Sequence, residues 1–420
     1  MNIITEIRIW NDTVGFASWD ERLNCAVFRY DPSFLGKGYD LSPLTMPLID
    51  RPFRFEGLNR ETYQGLPGML SDSLPDKFGN SLIDVWLSMN KMPAYDFTPL
   101  DKLCYVGKRG MGALEYEPSV KDKSRISKID VDLLASLASN ITEERGNLHT
   151  DLNETGLQEL IQVGTSAGGA RPKAVIGLNE KTMEICSGQF DLPPGYEHWI
   201  LKFDTESRDG RRGYCRIEYA YHNIAKECGI DMEECRLLET SKGSAHFMTK
   251  RFDRVGNEKV HMQTLCSLAH FDYMMPGRYS YEDVFAAMRR MHIPYIDQKQ
   301  MFKRMVFNVI MRNQDDHTKN FSFLYGKDKK WRVSPAYDIT YAFDPDNFWM
   351  RRHQMSINGK TENIDRTDMK EFAHNMNIDK ADDIIDRTIS AANKWQYFAK
   401  EAGVPKDVAD LIDEKLLKDL

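Results

Sequence analysis

Through the first hundred or so residues the apolar positions fall in short runs separated by turn-forming residues, a spacing that predicts strands. Ile7-Arg-Ile-Trp10, Val14-Gly-Phe-Ala-Ser-Trp19 and Ala26-Val-Phe-Arg-Tyr30 are three such runs, with a turn at Asn11-Asp-Thr13. A helix is predicted around Ser81–Met89, and Gly107-Lys-Arg-Gly-Met-Gly112 makes a glycine-dense loop. Pro118–Lys128, rich in Lys, Ser and Asp, predicts a linker. Leu157–Val163 reads as a helix end or a short strand. Ala174-Val-Ile-Gly-Leu178, Trp199-Ile-Leu-Lys202-Phe203 and Ala245–Arg254 predict strands, and Glu218 opens a helix running to Lys226. From Tyr281 onward the pattern turns helical, over Tyr281–Met291, Asp297–Met311, Thr367–Met376, Lys380–Lys400 and Pro405–Leu417. Phe321–Tyr325 and Trp331–Val333 interrupt it as a hairpin around Gly326–Lys330.

Polar residues concentrate where the buried helix carrying Phe302, Met305, Val306, Val309 and Ile310 ends. Asn313-Gln-Asp-Asp-His-Thr-Lys-Asn320-Phe-Ser322 packs two acids, a His, a Lys and an Asn between that helix and the hairpin, and Ser334-Pro-Ala-Tyr-Asp338 follows. Phosphoryl transfer by a kinase needs an Asp for the acceptor hydroxyl, an Asn five residues later for metal, and a second metal-binding Asp beyond a hairpin. Asp315, Asn320 and Asp338 stand in those places, and only Asp315 has the five-residue spacing to Asn320. Asp316 is left as a structural or solvent-facing acid.

The other polar signals keep two readings each. Gly164-Thr-Ser-Ala-Gly-Gly-Ala-Arg-Pro-Lys173 suits a loop whose backbone N–H groups approach phosphate, aided by Arg171 and Lys173, but it also suits a plain surface hairpin. It lacks the register of a Walker-type loop. Gly107–Gly112 favours a structural turn. Lys202 is a lone charge in an apolar strand, which fits either a phosphate-binding Lys paired with Glu218 or a solvent-facing Lys on an edge strand. In the second case Glu218 is an acid in a helix's first turn. Lys250–Phe252 can serve as a hinge whose backbone meets an adenine.

Composition narrows these choices. The 420 residues carry a formal charge of −7, which argues against strong nonspecific nucleic-acid binding. Seven cysteines without CxxC pairing fit neither a disulfide framework nor a zinc site, so they are expected as reduced packing residues. No apolar run has the length of a membrane span, and Met1-Asn-Ile-Ile-Thr-Glu6 lacks the layout of a secretory signal, so a cytoplasmic location is expected.

Taken in order, Phe28-Arg-Tyr-Asp-Pro32, Leu74-Pro-Asp76, Lys250-Arg-Phe-Asp-Arg254, Asp315-Asp-His-Thr-Lys-Asn320-Phe-Ser322 and Ser334-Pro-Ala-Tyr-Asp338 resemble the HipA family of serine/threonine kinase toxins from bacterial type II toxin–antitoxin pairs. The resemblance covers almost the whole chain. It implies an α+β, two-lobed, protein-kinase-like fold with an N-terminal β-rich subdomain and a mostly helical C-terminal lobe. The expected divisions are 1–118 for the β-rich subdomain, 119–254 for the rest of the N-lobe, and 255–420 for the helical lobe.

The same resemblance implies ATP and Mg²⁺ as cofactors, Asp315 as catalytic base, and Asn320 and Asp338 as metal ligands. Gly168, Gly169, Ala170, Arg171, Pro172 and Lys173 would form the loop over the phosphates, Lys202 would hold them, and Glu218 would partner Lys202. Lys250, Arg251 and Phe252 would meet the adenine, with His317, Thr318, Lys319 and Tyr337 beside the nucleotide. The family usually has an acid where this chain has Lys250. Ser166 matches the autophosphorylated serine whose modification expels the loop, with Thr165 adjacent. A phosphate there would repel those of ATP. An aminoacyl-tRNA synthetase, the glutamyl enzyme above all, is the implied substrate. A small HTH antitoxin of the HipB type is the implied partner, through which alone DNA would be contacted. Two other classes compete: a metal-dependent phosphoesterase built on Asp315-Asp316-His317, and a silent binding module that assembles with an HTH partner on operator DNA.

Overall fold

A computed structural model of the chain describes residues 4–93, 97–119, 129–143, 160–161, 164, 171–204, 213–240 and 244–420. The Pro118–Lys128 linker falls almost wholly outside these residues, as does most of Leu157–Val163. Two compact units are present. The first comprises Met1–Leu41, Met46–Arg212 and Arg236–Met262, and the second Ser42–Thr45, Gly213–Cys235 and Gln263–Leu420.

The first unit holds two sheets. In one, β1 (Ile4–Ile9), β2 (Asp12–Asp20), β3 (Cys25–Tyr30) and β4 (Leu114–Glu117) pair in the order β3-β2-β1-β4. Strand β1 shows why it is a strand, since Thr5, Ile7 and Ile9 are fully buried while Glu6 and Arg8 alternate outward. Trp10, expected as the end of that strand, instead begins the turn. Ile9 pairs with Asp12, and both Trp10 and Asn11 have positive φ (48° and 70°), as a two-residue hairpin turn with the right twist requires. A Trp seldom adopts that conformation. Here its indole Nε1 donates to the carbonyl of Lys259 at 2.8 Å, a long-range bond that offsets the local preference.

The second sheet contains β5 (Lys173–Asn179), β6 (Ile185–Ser187), β7 (Tyr196–Lys202), β8 (Cys235–Glu239) and β9 (Ala245–Lys250), in the order β6-β5-β7-β9-β8. One face is apolar. Ala174, Ile176, Leu178, Trp199, Leu201 and Met248 are buried there with Phe78, Leu82 and Val85 of the helix Lys77–Met89 and with Leu134 and Leu137 of the helix Val131–Glu143. Each large side chain so buried contributes about 1.5–3 kcal/mol, and this core fixes which face of the sheet is left for polar work. Strand β7 is central, flanked by β5 and β9, so the edge-strand reading of Lys202 is wrong. The predicted strand Ala245–Arg254 ends at Lys250, and Arg254–Val255 opens a separate small hairpin with Glu258–Lys259.

The second unit is mostly helical. Its central helix, Tyr295–Ile310, buries Met301, Phe302, Met305, Val306, Val309 and Ile310 and stops where Arg312 turns to φ 55° and the Asn313 N–H reaches back to the Asn308 carbonyl. The hairpin follows as expected, with Ser322–Tyr325 antiparallel to Trp331–Val333. The single helix expected over Lys380–Lys400 is two, Ala381–Ala392 and Trp395–Glu401. Asn393 caps the first with its side-chain amide on the Ile389 carbonyl, and Trp395 turns into the core with Nε1 on the Ala409 carbonyl and its ring 5.4 Å from Tyr221. The helix Tyr214–Glu227 begins a turn earlier than predicted, so Glu218 lies outside the first turn and is buried.

All seven cysteines are free and buried, as expected of packing residues. Among the described residues, no helix is long and apolar enough to cross a membrane.

Candidate active site

The polar face of the second sheet follows from its register. Lys173 on β5 pairs with Lys202 on β7, and Lys202 pairs with Phe247 on β9, so the three side chains emerge on the face opposite the apolar core. Lys173 is 3% exposed, and the Lys202 ammonium lies 5.7 Å from the Phe247 ring centre. The register thus brings two lysines directly across from each other on one face of the sheet. Arg171 is exposed at the entry to β5, and the Pro172 carbonyl accepts from the Phe203 N–H. Ser166, Thr165, Gly168, Gly169 and Ala170 lie outside the described residues.

At the end of β9 the side chains divide. Lys250 points to the other face of the sheet, where its ammonium pairs with Glu197 at 2.6 Å. Arg251 is buried, and its guanidinium makes two bonds to Asp253, 2.9 and 2.7 Å long. Asp253, fully buried, also accepts from Arg254 at 2.8 Å and from the Gly112 N–H at 2.7 Å. Arg254 goes on to the carbonyls of Gly110 and Gly112. Gly112 has φ +73°, and a Cβ there would stand 3.0 Å from the Met262 nitrogen, so the loop admits only glycine at this point. Burial raises and the two guanidiniums lower the Asp253 carboxyl, with a net position well below the ordinary range. Gly107–Gly112 is therefore a structural turn clamped by a buried ion cluster, and Arg251 has only its backbone to offer a nucleotide. Phe252 lies half-buried beside it.

In the second unit, Asp315 is half-exposed, and its backbone carbonyl accepts from Asn320 Nδ2 at 2.8 Å. That bond directs the Asn320 amide, leaving Oδ1 as its acceptor end. The Asn320 N–H bonds the His317 carbonyl, closing the short 3₁₀ turn Thr318–Asn320. His317 Nε2 stands 3.8 Å from Asp315 Oδ1, and its Nδ1 is buried without a hydrogen-bond partner among the described residues. Thr318 is spent on the Phe271 carbonyl at 2.6 Å, and the Lys319 ammonium rests 4.6 Å from the Tyr273 ring centre.

The segment bearing Asp338 is tied to this loop. Tyr337 donates its hydroxyl to the Lys319 carbonyl at 2.6 Å and also meets Ser322 Oγ. The Ala336 N–H bonds the Asp231 carbonyl, and Arg304, buried, donates to the Ser334 carbonyl. Asp338 has φ 51°, a left-handed conformation uncommon for residues other than glycine, asparagine and aspartate. Asp315, His317, Thr318, Lys319, Asn320, Tyr337 and Asp338 thus share one scaffold. Glu218 belongs to the same unit, on the helix Tyr214–Glu227, whereas Lys202 belongs to the first.

Asp316 lies immediately after Asp315 and is 1% exposed. It accepts from Tyr281, from His353 Nδ1 and from the Gln354 N–H at 2.9, 2.9 and 2.7 Å, so it is structural. Tyr273, Arg304 and this Asp316 network escaped the sequence reading, because each contact joins residues far apart in the chain and no local pattern marks them.

Among the described residues no cluster of three or more His, Cys, Asp or Glu is arranged to hold a metal. A site of one carboxylate and one amide oxygen, completed by phosphate oxygens and water, is of a different kind and suits hard Mg²⁺; Asp338 and the acceptor end of Asn320 fit that donor set.

Comparison with known proteins completes the site's setting. Residues 5–117 match the HipA N-terminal domain, and residues 165–396 match the HipA-like C-terminal domain. The candidate kinase Y4dM of Sinorhizobium fredii is 26% identical over 236 residues, covering 51% of this chain and 56% of that protein. A candidate kinase of Haemophilus influenzae is 26% identical over 193 residues, covering 42% and 53%. The chain thus spans about half the length of the curated relatives it matches. HipA of Shewanella oneidensis MR-1, solved with HipB and its operator DNA, superposes with a TM-score of 0.66 at 16% identity, over 98% of this chain and 96% of that one, a likeness of fold. With its N-terminal and C-terminal domains both matched, this chain belongs to the HipA family.

Proposed function

We propose that the chain is an ATP- and Mg²⁺-dependent serine/threonine protein kinase and the toxin of a type II toxin–antitoxin pair. The observation that carries this reading is the bond from Asn320 Nδ2 to the Asp315 carbonyl. It couples an accessible carboxylate to an amide oxygen five residues on, and Tyr337 ties the left-handed Asp338 to the same loop. In this reading Asp315 accepts the proton of a serine or threonine hydroxyl and aligns its oxygen for in-line attack on the γ-phosphorus, while the bond to the β-phosphate oxygen breaks. By the family resemblance, Lys202 would hold phosphate oxygens with Glu218 as its partner, and Gly168–Lys173 would form the loop over them. Asn320 and Asp338 would hold Mg²⁺, which when bound supplies positive charge against the phosphoryl oxygens. His317, Thr318 and Lys319 line the nucleotide, and the backbone of Lys250–Phe252 meets the adenine.

The phosphoesterase alternative needs Asp316 as a bridging ligand. Both Asp316 oxygens are already engaged by protein donors, which argues against it. By the family resemblance, an aminoacyl-tRNA synthetase such as the glutamyl enzyme is the substrate, Ser166 or Thr165 the autophosphorylation site, and an HTH antitoxin the partner. The HipB and operator DNA that accompany the Shewanella protein support the last of these.

The test is Asp315→Asn. Transfer of labelled γ-phosphate should fall by about 10²–10⁴-fold with the fold unchanged. Retention of the wild-type rate would remove Asp315 as the base. Comparing phosphoproteomes of cells expressing the wild-type chain and this variant names the target.

A further inference from the structure

The carboxylate beside the proposed base has a network of its own, which begins and ends on the catalytic loop. Asn313, the loop's first residue, donates from Nδ2 to Asn308 Oδ1 at 2.9 Å, Asn308 Nδ2 donates to the Tyr281 hydroxyl at 3.0 Å, and Tyr281 donates to Asp316. Burial, then the Asp316 charge, pushes the Tyr281 phenol well above its ordinary value, which keeps it a donor. A second branch leaves the loop. A carboxylate only accepts, so His353 carries its proton on Nδ1 toward Asp316. The Gln354 N–H bonds the other Asp316 oxygen, while its side-chain amide holds the carbonyls of Trp349 and Arg352. The Gln354 carbonyl accepts from Gly277.

Gln354 is therefore the anchor of the segment Asp344–Arg352. That segment is pinned internally by Asp344 and Asn347 side chains on the N–H groups of Asp346 and Trp349, and it exposes Phe348 and Trp349. Exposed aromatic pairs on an ordered segment are characteristic of contact surfaces. Here that surface is joined to the loop that bears Asp315 by the buried Asp316 carboxylate and, just before Asp344, by two backbone bonds of Ala342, whose carbonyl accepts from the Gln314 N–H and whose N–H donates to the Arg312 carbonyl.

The geometry points to Asp316 as a positioning residue for the phosphoryl transfer proposed above: beside the Ala342 backbone bonds, its carboxylate locks the loop carrying Asp315 to the segment Asp344–Gln354, so that loosening one loosens the other. This inference rests on the kinase reading for its catalytic consequence and on the hydrogen bonds alone for the coupling. A merely packed acid would hold the loop without making it answer to a distant segment.

Hydrogen–deuterium exchange of the full chain reads both segments at once. Tyr281→Phe removes one oxygen and His353→Ala one donor, and each should speed exchange about tenfold or more in 313–320 and in 344–354 together. His353→Asn, which returns a donor near the Nδ1 position, should restore protection. In parallel, γ-phosphate transfer to casein and to the chain itself should fall with the first two variants and recover with the third. The affinity for ATP·Mg²⁺, measured by calorimetry, should fall by less than transfer does, since the variants remove no nucleotide-facing side chain. Faster exchange in one segment alone, failure of Asn to restore it, or a loss of nucleotide affinity as large as the loss of transfer would overturn the proposal. A wild-type chain that transfers no phosphate yet shows coupled exchange defeats the kinase reading and with it the positioning role. An active wild type whose variants keep both rate and protection defeats the positioning role alone.

Discussion

Two charged motifs, Lys250–Arg254 and Asn313–Ser322, look alike as sequence and differ in what the fold leaves them free to do. In the first, Arg251 and Arg254 share the buried Asp253 carboxylate, and the three clamp the Gly110 and Gly112 backbone. In the second, Asp316 is consumed in the same manner, but its neighbour Asp315 keeps a half-exposed carboxylate. Adjacent acids in one loop thus take opposite parts. Burial with complete pairing marks a charge that holds the structure, and exposure on a rigid mount marks one that can do chemistry.

The widest separation between the two motifs should appear when each loses its carboxylate charge. Asp315→Asn is expected to leave the melting temperature unchanged while transfer falls by about 10²–10⁴-fold. Asp253→Ala leaves two buried guanidiniums unpaired and should cost about 3–5 kcal/mol of stability, measured by denaturant unfolding. If Asp253→Ala unfolds no more readily than wild type, the contrast between the motifs fails.

A smaller effect sharpens it. His198 lies beside the clamp, and burial, then the Arg251 charge, pushes its pKa down to about 4 from 6.5. Between those values the unfolded chain binds the proton and the folded chain does not. The stability tied to the neutral ring is therefore complete above pH 6.5 and declines as the pH falls toward 4. His198→Gln should flatten that part of the acid-unfolding curve, leaving the share of His222, His261 and His270, each also depressed to about 4 by burial. An unaltered slope would show that the folded chain does not hold His198 neutral.

The least effect belongs to Lys250, the residue that departs from the family's usual acid. Its partly exposed pair with Glu197 is worth about 0.2–1 kcal/mol at most, and its side chain faces away from Lys202. Lys250→Ala should leave ATP affinity within about twofold, because a hinge would use the backbone. A larger loss would mean that the side chain reaches the nucleotide.

Much of this was legible in the chain because it is local. Thr5, Ile7 and Ile9 alternate with Glu6 and Arg8, so the strand announces itself, and the five-residue step from Asp315 to Asn320 needs no partner to be seen. What the sequence hid depends on distant residues. Trp10 enters a turn because Lys259 supplies a carbonyl, and the helix after Lys380 breaks because Trp395 finds Ala409. Lys202 sits mid-sheet because β5 and β9 arrive from either side. The role of Asp316 likewise waits on Tyr281, His353 and Gln354, none of them adjacent to it in the chain.

The buried thiols have a practical consequence. Only a thiolate reacts readily; burial shields every sulfur and raises the pKa of Cys25, Cys104, Cys186 and Cys228, the last to about 12. The folded chain should therefore be silent to thiol reagents, and each cysteine becomes a clock for the opening of its own neighbourhood. Cys186 would time the second sheet, Cys266 the base of the second unit's short helix Leu265–Ala269, and Cys228 the end of the helix that carries Glu218. A single cysteine engineered into the exposed turn Lys327–Lys330 would then accept a probe without competition, seven residues from Asn320.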